Sequence, residues 1–272
     1  ELVHLVQQKG SRLRMCVREE PQVGKNAFYD QLGASAAAKI TTRHGDTVIT
    51  DTPHARRRVS LVDYAVADLI DDEDRLRILI EPGNGYALSQ AYALGRAIDD
   101  EIIAAFYGTA YTGETGSTST TFPTTQQIAS GSTGQTVAKL LSVKETLDAA
   151  ETDPEEPRYA VQSAKQYTDM LKTVQITSSD YAGVKALVQG VIDTWLGFKW
   201  IRSERLPANG SSERRCFFWV KSGMLLAMAK DIDVDIARRK DKNNAVQVLS
   251  KVHIGSTRME EVKVVESPCT ES

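Results

Sequence analysis

The stretch that decides the fold is residues 86–110, YALSQAYALGRAIDDEIIAAFYGTA. Its apolar and small residues recur at the three- and four-residue spacing of one helix face. They are Leu88, Ala91, Tyr92, Gly95, Ile98, Ile102, Ala105 and Phe106. Gly83-Asn84-Gly85 reads as a turn with Asn84 as the N-cap, and Gly108 suits a C-cap. The pattern predicts a helix over about residues 85–107, roughly 33 Å long.

The chain before this helix lacks the material for a compact core. Residues 1–16 mix apolar and basic side chains without a sustained period, which predicts an arm. Residues 17–62 are poor in large apolar side chains and hold short strand-like pieces such as Thr47–Thr50. Such a segment should project as an extended hairpin or loop. A strand is predicted at Val59–Tyr64.

After the helix, the composition and the apolar period of the chain change twice. In residues 112–134, sixteen of 23 positions are Thr, Ser or Gly, which predicts a flexible or extended connector. Thr136 then caps a second helix, and a third helix is predicted from Ser163 to about Lys172. The C-terminal third alternates apolar and polar residues, as in residues 231–236, which indicates half-buried strands. The fold class is therefore α+β with antiparallel strands.

Composition and charge limit the class of protein. The 272 residues are 41% hydrophobic and 25% charged, with a net charge of −3. These values are ordinary for a soluble globular protein and argue against a dedicated nucleic-acid binder. The three cysteines are far apart, so we expect no disulfide framework and a reducing compartment. We expect no signal peptide and no membrane span, since the apolar run Met224–Ala229 is too short.

Signals for catalysis are weak. The four histidines have no metal-ligand spacing, and the chain has no GxSxG motif. Gly83-Asn84-Gly85 follows the strand-like Leu76–Ile80, but Leu88 stands where a dinucleotide fingerprint has its third glycine. The acidic residues 71–74 indicate a solvated turn, and Asp99–Glu101 indicates an inter-subunit salt bridge. We therefore expect no catalytic residue, no cofactor and no metal.

Several stretches resemble one family in the same order. Tyr86–Ala110, especially Leu94–Asp100, is similar to the spine helix of tailed-bacteriophage major capsid proteins of the HK97-like fold. Ser178–Pro207, ending LGFKWIRSERLP, resembles their axial segment. The resemblance implies this division: N-terminal arm 1–16; E-loop region 17–62; peripheral domain 63–135 with the spine helix and connector; mainly axial domain 136–207; return strands of the peripheral domain 208–272.

The resemblance implies a shell subunit and no enzyme activity. Such subunits form pentamers and hexamers of an icosahedral head that encloses double-stranded DNA by non-specific contact. The expected location is the virion, and the host cytoplasm during assembly, with portal, scaffold and cement proteins as further partners. Two alternatives stay open. One is an encapsulin-like nanocompartment shell, and the other is a nucleotide-dependent enzyme that uses Gly83-Asn84-Gly85.

Two groups of basic residues are candidate contact sites. Arg56, Arg57 and Arg58 can clamp carboxylates of a neighbouring subunit, because guanidinium groups bind them bidentately. Lys9, Arg12 and Arg14 can place positive charge of the arm against packaged DNA phosphates. Both assignments are hypotheses about a shell.

Overall fold

The protein is described from a computed structural model, which covers residues 6–43, 45–47, 49–71, 83–172 and 194–271. The α-helices are α1 (Gly83–Tyr107), α2 (Val137–Ala149) and α3 (Ala164–Lys172). The strands are β1 (Arg18–Pro21), β2 (Asn26–Leu32), β3 (His54–Ser60), β4 (Val62–Ile70), β5 (Ala110–Thr112), β6 (Thr118–Thr120), β7 (Arg158–Gln162), β8 (Thr194–Trp195), β9 (Phe198–Arg202), β10 (Arg214–Val220), β11 (Met224–Arg238), β12 (Val246–Arg258) and β13 (Val264–Cys269). Within these residues the strands form three sheets. The predicted strand Leu76–Ile80 lies outside the described residues.

Helix α1 is the long helix that the apolar period predicts. Leu94, Ile98, Ile102 and Phe106 are buried along one face, and the Gly108 N–H closes its end on the Ala104 carbonyl. Its start differs from the prediction. Residues 83–85 already lie in the first helical turn, so Asn84 is inside the helix rather than at the N-cap.

The first sheet has the strand order β1-β11-β12-β4, and α1 packs across β12 and β4. Strands β11 and β12 form a long antiparallel hairpin. The short strand β1 pairs in parallel with the start of β11, from Arg18 opposite Leu225 to Pro21 opposite Met228. The predicted strand at residues 231–236 is present, but it is not half-buried. Of its three apolar residues, Ile232 is partly buried against the core, whereas Val234 and Ile236 are 41% and 54% exposed.

The second sheet has the order β13-β10-β7-β9-β8 and a core of its own. Helix α2 contributes Leu140, Val143 and Leu147 to that core, and β10 contributes Phe218. As predicted, Thr136 caps α2, since its side-chain oxygen accepts a hydrogen bond from the Lys139 N–H. The α+β class with antiparallel pairing is therefore confirmed; the exceptions are the parallel pairs β1–β11 and β7–β9.

The third sheet, β2-β3-β5-β6, contains the base of the predicted loop and part of the predicted connector. Of the two predicted forms of the connector, flexible or extended, its described residues are in part extended and paired. Its residues form β6 and the end of β5, and Phe122 and Gln126 are buried. Threonine suits strands because its branched side chain packs well on a pleated surface, so a Thr-rich segment can pair once a neighbouring strand is present. The segment boundaries given above remain predictions.

Candidate assembly surfaces

The N-terminal arm crosses the middle of α1 at a site formed by Gly95 and Asp99. A Cβ atom on Gly95 would lie 2.6 Å from the Gly10 Cα, so the helix and the arm touch backbone to backbone. One helical turn later, the fully buried Asp99 carboxylate receives the arm. It accepts hydrogen bonds from the Ser11 hydroxyl at 2.5 Å and from the Leu13 N–H at 3.0 Å.

Two further groups donate hydrogen bonds to the Asp99 carboxylate. These are the Gln8 side-chain amide at 2.5 Å and the Arg12 N–H at 3.0 Å. A buried carboxylate is tolerated only when its lone pairs are satisfied. The arm segment 8–13 is therefore anchored to the helix by one acidic side chain.

The neighbouring acidic residues also bind within the chain. Asp100 forms an ion pair with Arg205, and Glu101 accepts a hydrogen bond from the Tyr64 hydroxyl at 2.9 Å. Burial and the bond to Glu101 raise the pKa of Tyr64 to about 12. Asp99 is buried within its own subunit, whereas an inter-subunit salt bridge of Asp100 or Glu101 stays a prediction.

The arginine triplet lies in β3, between β2 and β5, and its members alternate faces. Arg56 pairs with Asp30 at 2.6 Å on the exposed face. Arg58 lies over the Tyr111 ring with 4.5 Å from the guanidinium carbon to the ring centroid. Arg57 points to the other face, where it is 4% exposed. It donates to the Met259 carbonyl at 2.9 Å and pairs with Glu261.

A buried cation at the end of α1 escaped the sequence analysis. The Arg258 side chain is fully buried, and its Nη1 donates to three backbone carbonyls, those of Ala105, Phe106 and Gly108. Burial lowers the pKa of Arg258 to about 10. The positive charge lies at the negative end of the helix dipole, with the Phe122 ring 5.1 Å away. A lone arginine in a strand pattern carries no signal for this role.

A family model described as "Phage capsid protein" matches residues 1–271. The chain belongs to the phage capsid protein family. No curated protein matches the chain by sequence.

Solved capsid structures share the fold. "Capsid structure of the Cyanophage P-SCSP1u" is similar with a TM-score of 0.77 at 16% identity, over 100% of this chain and 91% of that one. "Mycobacterium phage Che8" is similar with a TM-score of 0.73 at 15% identity, over 98% of this chain and 94% of that one. "Capsid of native GTA particle computed with C5 symmetry" is similar with a TM-score of 0.72 at 13% identity, over 99% of this chain and 93% of that one. The HK97-like fold suggested by the spine-helix residues is thereby confirmed.

In this capsid protein, the loop between β2 and β3 lies within residues 17–62, the segment predicted as the E-loop region. A hydrogen bond from the Gly33 N–H to the Pro53 carbonyl, 2.8 Å long, closes its base. Beyond the base, Ile40 and Ile49 are each 86% exposed. The predicted strand-like piece Thr47–Thr50 is not a strand at its described positions, because no neighbouring strand pairs with it.

The predicted DNA-facing residues of the capsid protein's arm have different surroundings. Arg14 forms ion pairs with Glu19 at 2.8 Å and with Asp231 at 3.0 Å, and these hydrogen bonds raise its pKa. Arg12 is exposed and donates to the Arg202 carbonyl, and Lys9 is exposed. The DNA contact stays a prediction. It rests mainly on Lys9 and Arg12, because the charge of Arg14 is already balanced.

The described part of this capsid protein shows no cluster of three or more His, Cys, Asp or Glu residues that could hold a metal. In the same residues, no helix combines the length and apolar character needed to cross a membrane. Cys16, Cys216 and Cys269 are free and buried.

Proposed function

We propose that this chain is the major capsid protein of a tailed bacteriophage, a structural subunit of the virion shell without enzymatic activity. The observation that carries the proposal is the family match, which extends over residues 1–271. The matches to similar solved structures, among them the capsids of a cyanophage and of a GTA particle, cover 91% or more of those chains.

The distribution of exposed side chains supports a subunit that is completed by neighbours. Ile40 and Ile49 lie on a loop that has no core of its own. Apolar side chains on an extended segment gain order only by packing against another surface. In a closed shell, an adjacent copy supplies that surface, so the E-loop extends onto a neighbouring subunit.

The arrangement of subunits in the shell and the further partners are what the family resemblance implies. Pentamers and hexamers form an icosahedral head around double-stranded DNA, and assembly takes place in the host cytoplasm. Scaffold, portal and cement proteins are the expected further partners. Contacts with DNA are non-specific in this proposal, because basic side chains of the arm would meet phosphates, which carry no sequence information. Lys9 and Arg12 are the arm residues available for them.

The other two functions have less support. An encapsulin-like compartment would share the fold, but the family description and the similar structures name phage capsids and a GTA particle. A nucleotide-dependent enzyme would need Gly83–Gly85 as a loop that cradles phosphates. Those residues begin the helix α1 instead, and Leu88 replaces the third glycine of the fingerprint.

Expression of the full chain followed by negative-stain electron microscopy tests the proposal. We expect closed shells, capsomers or curved sheets in the soluble fraction. A deletion of residues 36–50 removes the tip of the E-loop but leaves its Gly33–Pro53 closure, so it should fold and fail to form shells. A wild-type chain that remains monomeric, even with a co-expressed scaffold protein, would contradict the proposal, and so would stoichiometric nucleotide binding by that monomer.

A further inference from the structure

Lys139 on α2 is a buried lysine without a carboxylate partner. It is 7% exposed, and its Nζ donates to the carbonyls of Thr133 at 2.9 Å, Gly134 at 3.1 Å and Pro268 at 3.1 Å. Three acceptors require three N–H donors, and only the charged ammonium form of lysine has three. In the part of the chain that the structure describes, Lys139 forms no ion pair with a carboxylate. A buried ammonium of this kind is costly unless another anion lies beside it.

The Cys269 sulfur lies where such an anion is needed. The distance from the Lys139 Nζ to the Cys269 Sγ is 3.8 Å, and Cys269 is fully buried. Of the groups to which this amine donates, only the sulfur can carry a negative charge, as a thiolate. A hydrogen bond with the Cys216 thiol lowers the pKa of Cys269, and the charge of Lys139 lowers it further. Cys269 is therefore the counter-ion of Lys139.

Gln135 gives a second, independent indication of a negative sulfur. It is 3% exposed, and its Oε1 lies 2.9 Å from the Cys269 Sγ. Its Nε2 is buried and has no hydrogen-bond partner among the described residues, which is costly for a donor. A half-turn of this amide exchanges the two atoms, so that Nε2 donates to the sulfur. A thiolate is stabilised by such a donor, and the Nε2 group then has the partner that it lacks beside a thiol.

Cys216 lies beside Cys269 on the neighbouring strand. In the register of β10 and β13, Cys216 is opposite Ser267, so Cys269 is its diagonal neighbour on the same face of the sheet. The hydrogen bond between the two thiols, together with burial, raises the pKa of Cys216. Diagonal neighbours have Cα atoms about 7–8 Å apart, and a disulfide needs roughly 4.4–6.8 Å, so a shift on the order of 1 Å joins them. Strand β13 is at the edge of its sheet, where one strand can shift alone.

We propose that Cys269 and Cys216 are a redox pair, in which Lys139 holds Cys269 as the reactive thiolate and Cys216 completes a disulfide. The oxidant is a peroxide. The Cys269 sulfur attacks one oxygen of hydrogen peroxide, the O–O bond breaks, and hydroxide leaves a sulfenic acid on Cys269. The Cys216 sulfur then attacks the Cys269 sulfur, the S–O bond breaks, and the leaving hydroxyl takes the Cys216 proton to form water. Together with the proton that Cys269 gave up, two thiols and one peroxide yield one disulfide and two water molecules.

The disulfide ties the edge strand β13 to β10 and responds to the surroundings of the protein. A reducing compartment keeps both thiols free, and thiol reductants reopen the bond. An oxidant reaches the buried pair when the edge strand opens locally. This chemistry requires a folded subunit but no assembled shell, so it stands independently of the proposed function.

Peroxide treatment of the folded, full-length chain tests the pair. After reaction with hydrogen peroxide, free thiols are alkylated under denaturing conditions, and peptide mass spectrometry locates the disulfides. We expect a cross-link between Cys216 and Cys269 that dithiothreitol reverses and that raises the midpoint of thermal unfolding by about 5 °C or more. Cys16 is the internal control and should stay a free thiol, because burial raises its pKa to about 11. In Cys216→Ala, dimedone, a reagent for sulfenic acids, should label Cys269.

Lys139→Met tests the activation of Cys269. Methionine keeps most of the side-chain length but not the charge, so the initial rate of Cys269 oxidation should fall at least about tenfold. Lys144→Met removes an exposed lysine of the same helix and should leave the rate unchanged. A thermal melt by circular dichroism checks that each variant folds.

Three results would overturn the inference. They are a folded wild-type chain without the cross-link, equal oxidation of Cys16 and Cys269, and a folded Lys139→Met variant that is oxidised at the wild-type rate. If Lys139→Met does not fold, the comparison of Cys16 with Cys269 in the wild-type chain decides the question.

Discussion

Replacing Asp99 with alanine removes the acceptor that holds the N-terminal arm on the spine helix. The Leu13 N–H is buried at this site and the Arg12 N–H is partly buried, and both lose their carboxylate partner. A buried donor without a partner costs about 1–3 kcal/mol. The loss of the Leu13 bond alone lowers the free energy of unfolding by about 1–3 kcal/mol, and the Arg12 N–H adds less because it is only partly buried.

Urea denaturation of unassembled subunits, followed by tryptophan fluorescence, measures this loss, because Trp219 donates a hydrogen bond to the Cys16 carbonyl just beyond the anchor. Asp100→Ala is the matched control. Its ion pair with Arg205 is largely exposed, so its removal should change the free energy of unfolding by less than about 1 kcal/mol. If the Asp99 and Asp100 variants unfold at the same urea concentration, the anchoring role of Asp99 is refuted.

Four further predictions concern single residues. Gly95→Ala places a Cβ atom against the Gly10 backbone, so limited proteolysis should cleave the arm faster; Gly210→Ala, which meets nothing within 4 Å, should leave the cleavage rate unchanged. The pKa of Tyr64 is raised to about 12 in the folded chain, so the unfolded chain loses the Tyr64 proton at lower pH. The stability that Tyr64 contributes below pH 10 is therefore lost as the pH rises through about 12. The urea midpoint should depend less on pH in Tyr64→Phe, and an unchanged dependence would contradict the assignment. Arg57→Met should lower the free energy of unfolding by roughly 3–5 kcal/mol, since it breaks a buried ion pair. Arg56→Ala should leave the urea midpoint nearly unchanged and lower the shell yield; an unchanged yield would remove Arg56 as an inter-subunit contact.

Residues with a strong periodic pattern could be predicted from the sequence. The spine helix has eight apolar or small residues at helical spacing. Its predicted start at residue 85 lies two residues after the observed start at Gly83. Thr136 before α2 was equally clear, because a Thr cap followed by an amphipathic run has one simple reading. Both signals are local, so no knowledge of the rest of the fold was needed.

Properties that depend on distant partners could not be predicted. Asp99 and Asp100 look alike in sequence, yet one is buried under the arm and the other is exposed. The Thr-rich connector looked flexible because nothing nearby shows that β3 lies beside β5. Likewise, the sequence does not reveal that Arg57 is buried, because its partners, Met259 and Glu261, lie about 200 positions later in the chain.

The parallel pairing of β1 with β11 sets a time order for making the subunit. Arg18 pairs opposite Leu225, so the start of the chain waits for about 200 further residues before its strand partner exists. At about 5–20 residues per second, that delay is on the order of 10–40 s. A nascent subunit therefore cannot complete its first sheet until most of it has left the ribosome. A chain that stops before β12 therefore cannot complete this sheet.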